Sequence, residues 1–285
     1  MKSKLGDLLC EISGDINKLF TAKNFMTEKT EIRIFDEKEH IDNLKNYSKQ
    51  KNYDILLVKR KNNELSYIKS KDMENCKNIS EIINIISKEE KISIDAQVPE
   101  IIDKFKEIRY VFVYDNKDSF EGLITYADLN NSSLYSYLFI FLSDFEKLLR
   151  KLIKLSFKED EWLKKLPDDV MEEIGGIFIR CKFRGIETSL LGCTTLTQLK
   201  EVLCKLKLYN KIKFYNNNKG TYNSMLMKII ECRNTIMHNR NLIKSKEDYD
   251  NFYKFIYDFC IQRKEIYNYY TKLKEESNKI SVPEI

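Results

Sequence analysis

The sequence predicts an α+β protein in two parts: a tandem strand–helix–strand–strand–helix unit, then an all-α bundle. Three observations predict it. Residues 53–73 align with residues 109–129 without a gap, and both stretches carry short β-branched and aromatic runs. From Ser133 onward apolar residues recur at steps of three and four. Only 8 Gly and 3 Pro occur in 285 residues, too few turn-formers for an all-β sandwich.

The apolar fraction of 42% is enough to build cores, which argues against wholesale disorder. Residues 1–23 carry Leu5, Leu8, Leu9, Ile12, Ile16 and Leu19 at helical spacing, an amphipathic helix suited to cover the repeat or to contact a second copy. Acids inside that stretch mark it as something other than a signal peptide. The longest apolar run, Leu134 to Leu142, is far short of the ~20 residues that span a bilayer. The expected setting is the cytoplasm, with no membrane partner. Seven widely spaced cysteines without a C-x-x-C point away from a disulfide framework and from zinc, so no metal site is expected.

The repeat is expected over residues 24–130. At an offset of 56, Ile55-Leu56-Leu57-Val58 falls on Val111-Phe112-Val113-Tyr114, and Lys61-Asn62-Asn63 falls on Lys117-Asp118-Ser119 as a hairpin turn. Leu65 to Ile68 and Glu121 to Ile124 are the second strands, and Asp72 falls on Asp128. Upstream come short strands at Ile32–Ile34 and Ile92–Ile94, then helices over 37–50 and 98–108, with Pro99 in the first turn. A helix closes each unit. His40 reads as a solvated residue on the first of these helices.

This order resembles the CBS domain, which occurs in tandem pairs called Bateman modules. Its best motif here is Gly122-Leu-Ile-Thr125-Tyr-Ala-Asp128-Leu129. The resemblance implies an adenine nucleotide as regulatory ligand, with Thr125 at the phosphate and Asp128 at the ribose. In the first unit Ser66 replaces the Gly and Lys69 the Thr, and Asp72 is retained, so at most one strong site per pair is expected. Without a ligand, Thr125 and Asp128 serve as the cap of the helix that follows.

Charge is uneven. Residues 1–130 hold 22 Lys and Arg against 24 Asp and Glu, net −2; residues 131–285 hold 27 against 20, net +7. The basic half is the candidate for a polyanionic partner. Lys205, Lys207, Lys211 and Lys213 lie in an acid-free stretch with Tyr209, Phe214 and Tyr215 interleaved, a pattern suited to single-stranded nucleic acid. Its plainer reading is a solvated loop and helix end.

The second half, 131–285, is expected as helices from Ser133 through Leu152, then over 168–180, 196–208, 222–237 and 249–274. The Gly175-Gly176 pair blurs the second, and the last is rich in aromatics suited to a core or a dimer interface. The fourth ends in Arg233-Asn234-Thr-Ile-Met-His238-Asn-Arg240. His238 is one of only two histidines, so any imidazole chemistry rests on it or on His40. Asn234 and His238 share a helix face, and Arg233 lies one position round. A guanidinium, an amide and an imidazole near one helix end suit RNA cleavage by the substrate's own 2′-hydroxyl. The imidazole moves the proton and the guanidinium stabilises the phosphorane.

The intact R-x-x-x-x-H resembles the HEPN family signature, and Phe145-Glu146-Lys147-Leu148-Leu149-Arg150 is similar to that family's opening helix. The resemblance implies an HEPN-like helical domain that dimerises to bring two motifs into one RNA-cutting cleft. No catalytic cofactor is needed, and the product is a 2′,3′-cyclic phosphate. Catalytic candidates are Arg233, Asn234 and His238; Arg240 joins the four lysines as an RNA contact. An abortive-defence or stress-response role, with an antitoxin or other regulatory protein as partner, is what such a combination suggests. The competing class is a nucleotide sensor whose helical half only dimerises or binds a partner. Cys232, beside Arg233, reads as a small buried hydrophobe.

Overall fold

The computed structural model describes residues 8–9, 16–74 and 76–280. Two sheets built alike occupy the first half. In the first, β2 (Ile34–Asp36) leads through helix α1 (Ile41–Lys51) to β3 (Ile55–Lys59), and a hairpin returns it as β4 (Leu65–Lys69). In the second, β6 (Lys91–Ser93), α2 (Val98–Phe105), β7 (Tyr110–Tyr114) and β8 (Phe120–Thr125) repeat the path. In each, the first two strands pair in parallel and the last two antiparallel. The helix is the crossover that a parallel pair requires. Each sheet gains a fourth strand, β5 (Asn84–Ile85) beside β4 and β1 (Thr27–Glu28) beside β8.

Local chemistry sets these elements. All but the last residue of β3, Ile-Leu-Leu-Val-Lys, is buried, as expected of a strand covered on both faces. Helix α1 stops at Asn52, which takes the left-handed conformation at φ 55°. His40 lies just before α1 rather than on it, where its ring faces the Asp42 amide. Phe35, Leu44, Leu56, Val58, Ile68 and Met73 form one core, and Ile55, Leu57, Tyr67, Ile86 and Phe112 a second. The second core joins residues of the two sheets.

The repeat departs from the gapless alignment. The hairpin turns place Asn63 (φ 64°) and Asp118 (φ 57°) in the same left-handed position, an offset of 55. Strands β3 and β7 correspond at 55 as well, so Ile55 matches Tyr110 rather than Val111. A β-bulge sits in the β7–β8 ladder: Tyr114 pairs Phe120 but Val113 pairs Gly122, leaving Glu121 as the extra residue. Beyond it the offset becomes 56, which keeps Asp72 opposite Asp128. Gly122 is required by the close approach of β1, since a Cβ there would lie 2.5 Å from the Thr27 carbonyl oxygen.

The expected closing helix of the first unit is reduced to two 3-10 turns, Ser70–Met73 and Ile79–Glu81. Asn and Ser in this stretch compete for backbone partners, and among its described residues only Met73, Cys76 and Ile79 are buried to hold it. In the second unit the turn Asp128–Asn130 runs into helix α3 (Ser132–Ser156). Of the amphipathic helix expected over 1–23, Leu5 and Ile12 lie outside the described residues. Leu8 and Leu9 are buried, and Ile16–Leu19 is a single turn that leaves Leu19 68% exposed.

The helical half continues with α4 (Asp168–Phe183), α5 (Leu196–Lys205), α6 (Lys219–Met237) and α7 (Lys246–Ile280). Helix α4 runs straight through Gly175-Gly176. Helix α5 starts at a capping box of Thr195 and Gln198 and ends before Lys207, which turns left-handed at φ 52°. Helix α6 starts three residues earlier than expected, because Asn218 caps the Gly220 and Thr221 amides. Phe141 and Phe145 of α3 both meet the Phe259 ring of α7 edge-on, with centroids 5.0 Å apart.

The chain forms two compact units that are not contiguous in sequence. One holds 135–242 and the last helix from Asp250. The other holds the double-sheet repeat through Leu134 together with Ile243–Tyr249, a segment that the sequence places with the helices.

Candidate functional site

Helix α6 buries Tyr222, Met225, Leu226, Ile229, Cys232 and Ile236, which turns Asn234 and His238 toward its open side and leaves the half-buried Arg233 on the packed face between Ile229 and Ile236. His238 is the C-cap, with its amide donating to the Asn234 carbonyl at 3.0 Å. Asn239 then takes φ 50°, and the Arg240 amide closes back on the Thr235 carbonyl. The imidazole and the Asn234 amide are exposed at this end.

Arg233 is fixed from a neighbouring helix. Its Nε lies 2.9 Å from Oε1 of Glu146 on α3, and Arg150 reaches the other carboxylate oxygen at 3.3 Å. The Arg233 contact is electrostatic, since no N–H is aligned on that oxygen. The Glu146 side chain is only 10% exposed and Arg233 37%. A carboxylate so far out of water is costly unless paired, and two guanidinium groups flank it here. Arg150 also donates to the carbonyls of Leu191 and Thr194, tying α3 to the turn that precedes α5. Sequence reasoning missed the role of Glu146. The available signal was an acid four residues after Leu142 and three before Leu149, inside the apolar stripe of α3.

The second candidate site is the turn after β8. Asp128 Oδ2 accepts from the Thr125 amide and hydroxyl, both at 2.7 Å, and Oδ1 accepts from the Thr27 hydroxyl at 3.0 Å. Thr125 and Asp128 thus meet, and both carboxylate oxygens have partners within the fold. Thr27, on β1, is a participant that the motif did not disclose. The equivalent turn of the first unit is built otherwise. Ser70 bonds the Ser48 hydroxyl at 2.7 Å and the Tyr53 carbonyl, and the Asp72 side chain is exposed.

Lys205, Lys207, Lys211, Lys213 and Arg240 are exposed. Of the aromatic residues among the lysines, Tyr215 is withdrawn into the core, a correction to the expected interleaving, and Tyr209 and Phe214 are half buried. Tyr215 is buried, accepts from the Gln262 amide and meets Tyr222 at 5.1 Å. Tyr209 also packs on Tyr222, and the Phe214 amide donates to Glu265 at 2.7 Å. The apolar area of Tyr215 stabilises the helical core. Cys232 is buried too, which pushes its thiol up to about 12. Among the described residues no group of three His, Cys, Asp or Glu is placed to hold a metal ion, and no helix is long and apolar enough to cross a membrane.

No protein-family model matches the chain, and no curated protein matches it. Solved structures do. The chain is similar to a hemolysin-like protein containing CBS domain of Oenococcus oeni PSU, at 18% identity over 42% of this chain and 94% of that one, TM-score 0.34. It is similar to CbpB in complex with c-di-AMP, at 16% identity over 48% and 99%, TM-score 0.38. A third is the CBS domain of the bacterial CNNM/CorC family Mg2+ transporter in complex with ATP, at 12% identity over 44% and 92%, TM-score 0.35. Several of the similar structures are CBS-domain proteins.

Proposed function

We propose that the chain is an endoribonuclease of HEPN type whose double-sheet repeat, a CBS-type pair, senses an adenine nucleotide. One observation carries the reading: His238 caps the exposed end of α6, and five residues before it the half-buried Arg233 has its guanidinium held by the buried Glu146. The 2′-hydroxyl of a bound RNA attacks the adjacent phosphorus, and His238 takes its proton. The guanidinium of Arg233 stabilises the phosphorane. The 5′-oxygen leaves with a proton from a second imidazole, supplied by another copy of the chain. The products are a 2′,3′-cyclic phosphate and a 5′-hydroxyl. Asn234 orients the scissile phosphate, and Lys205, Lys207, Lys211, Lys213 and Arg240 draw in the strand.

On the regulatory side, the topology of two matched βαββ sheets and the Thr125–Asp128 pair support a nucleotide site. A ligand phosphate would take the Thr125 hydroxyl and a ribose the Asp128 carboxylate. Asp72 offers a weaker second site because Lys69 stands where Thr125 does. A sensor joined to an RNA-cutting unit suits defence or stress response, with an antitoxin as a fitting protein partner.

The test is single-stranded RNA incubated with the full chain in EDTA, with product ends read by mass spectrometry. His238→Ala is expected to lose roughly 10²–10⁴-fold in rate and Arg233→Ala about 10²–10³-fold. DNA is expected to stay intact. A 3′-hydroxyl product, or full-rate cleavage by His238→Ala, overturns the nuclease reading. RNA left whole by the wild type makes the helical unit a binding module.

A further inference from the structure

We propose that Ile243–Tyr249 carries the state of the Asp128 turn to His238. This deepens the functional reading above and rests on it. The sequence from Thr125 to Asn130 serves two purposes by alternation. Thr125 and Asp128 bond each other and Thr27. Tyr126 and Asn130 hold the segment that begins five residues after His238.

The grip is specific. Asn130 presents both ends of its amide to one backbone position: Oδ1 accepts from the Ile243 amide at 2.9 Å, and Nδ2 donates to the Ile243 carbonyl at 2.5 Å. Ile243 is buried. Tyr249 is buried as well; its hydroxyl bonds the Ile102 carbonyl, and its ring lies 5.2 Å from Tyr126 at a 30° angle. Phe105 meets both rings. The Tyr126 hydroxyl donates to the Phe105 carbonyl at 3.3 Å. Lys246 adds a bond to the Lys106 carbonyl at 3.1 Å. The start of α7 is therefore built on the repeat. On the helical side the connecting residues are pinned by Tyr135, whose hydroxyl donates to the Arg240 carbonyl at 2.6 Å.

A nucleotide phosphate that takes the single proton of the Thr125 hydroxyl has to break its bond to Asp128, and a ribose hydroxyl on Asp128 adds a fourth donor to the carboxylate that now shapes this turn. Tyr126 and Asn130 lie within it, so the grip on Ile243 and Tyr249 changes with it. The connection from there to His238 is five peptide links long and starts at a helix end, the part of a helix that opens most readily. Ligand binding and the placement of the imidazole then share one coupling free energy, which acts in both directions.

Hydrogen exchange on the full chain reads this at the amides of Asn239, Arg240 and Ile243. Asn130→Ala and Asp128→Ala are each expected to speed exchange there roughly tenfold, the scale of one or two lost hydrogen bonds. The exposed Lys117→Ala is expected to change nothing. Asn130→Asp keeps the acceptor for the Ile243 amide and gives an intermediate value, which separates a lost grip from global unfolding. Any of ATP, AMP or c-di-AMP that binds is expected to shift the same amides in the wild type and leave them still in Asn130→Ala. Exchange at 239–243 that ignores Asp128→Ala overturns the coupling, whether or not a nucleotide binds. Intact RNA in the cleavage assay, or no heat in calorimetry, would remove the nuclease or ligand reading through a separate measurement.

Discussion

Asp72 and Asp128 each lie three residues past the end of corresponding strands in two similarly folded units, yet their surroundings share little. Asp128 is held by Thr125 and Thr27 and precedes the residue that grips Ile243. Asp72 is exposed, and a serine pair beside it does the work of closing its turn. The same sheet order thus supports one turn built around a carboxylate and another that does without it. A repeat fixes the path of the backbone, whereas the chemistry of each turn depends on a few side chains that can diverge without disturbing the sheet.

Substitutions at matched positions break or sharpen this contrast. The largest effect is expected at Gly122, where Ala would press on the Thr27 carbonyl and loosen β1 from β8, costing about 2–3 kcal/mol. Its counterpart Ser66 is buried with an unpartnered hydroxyl, so Ser66→Ala should be near neutral in the same denaturant titration. Asp128→Ala is expected to cost roughly 2 kcal/mol, the scale of hydrogen bonds to a charged acceptor. Asp72→Ala should stay within about 0.5 kcal/mol. Equal losses at the two aspartates would erase the distinction drawn between the turns. Thr27→Val removes one of the three bonds to Asp128 at constant shape, and about 1 kcal/mol is expected, read as a shift in melting temperature.

The smallest effect concerns pH. Burial pushes the Tyr114 phenol up to about 12, while its counterpart Lys59 is exposed. The folded state holds the phenolic proton more tightly than the unfolded chain does. The stability linked to it is present below pH 10 or so and is lost as pH rises toward 12. Tyr114→Phe should therefore melt with a shallower alkaline decline than the wild type, and Lys59→Gln should leave the slope as it was.

The α+β class, the repeat and the run of helices were legible because burial imposes periods of 2 and 3.6 on whole stretches of sequence. What escaped the reading lay in single residues and long separations. The bulge at Glu121 adds one residue to a ladder, and an alignment anchored on Asp72 and Asp128 absorbs it silently. Thr27 reaches Asp128 across 101 residues, and Asn130 reaches Ile243 across 113. No local pattern reports such pairs. The aromatic residues among the lysines misled for a related reason, since Tyr215 has the same composition signal whether it faces solvent or fills a core. The motif residues Arg233, Asn234 and His238 were readable as a spacing, but the carboxylate that steadies Arg233 belongs to another helix.

Glu146 has a consequence for how this surface meets dissolved ions. An exposed arginine gathers a loose atmosphere of anions from the buffer, and a phosphate that binds it sets them free. At Arg233 part of the counter-charge is covalently in the protein, since Glu146 shares its single negative charge between Arg233 and Arg150. On the proposed RNA-cutting reading, a phosphodiester arriving there would compete with a fixed carboxylate and would release fewer free ions than at an unpaired arginine. On that reading, the ionic-strength dependence of RNA binding should come mainly from Lys205, Lys207, Lys211, Lys213 and Arg240. Arg233 would then contribute discrimination of geometry more than long-range pull.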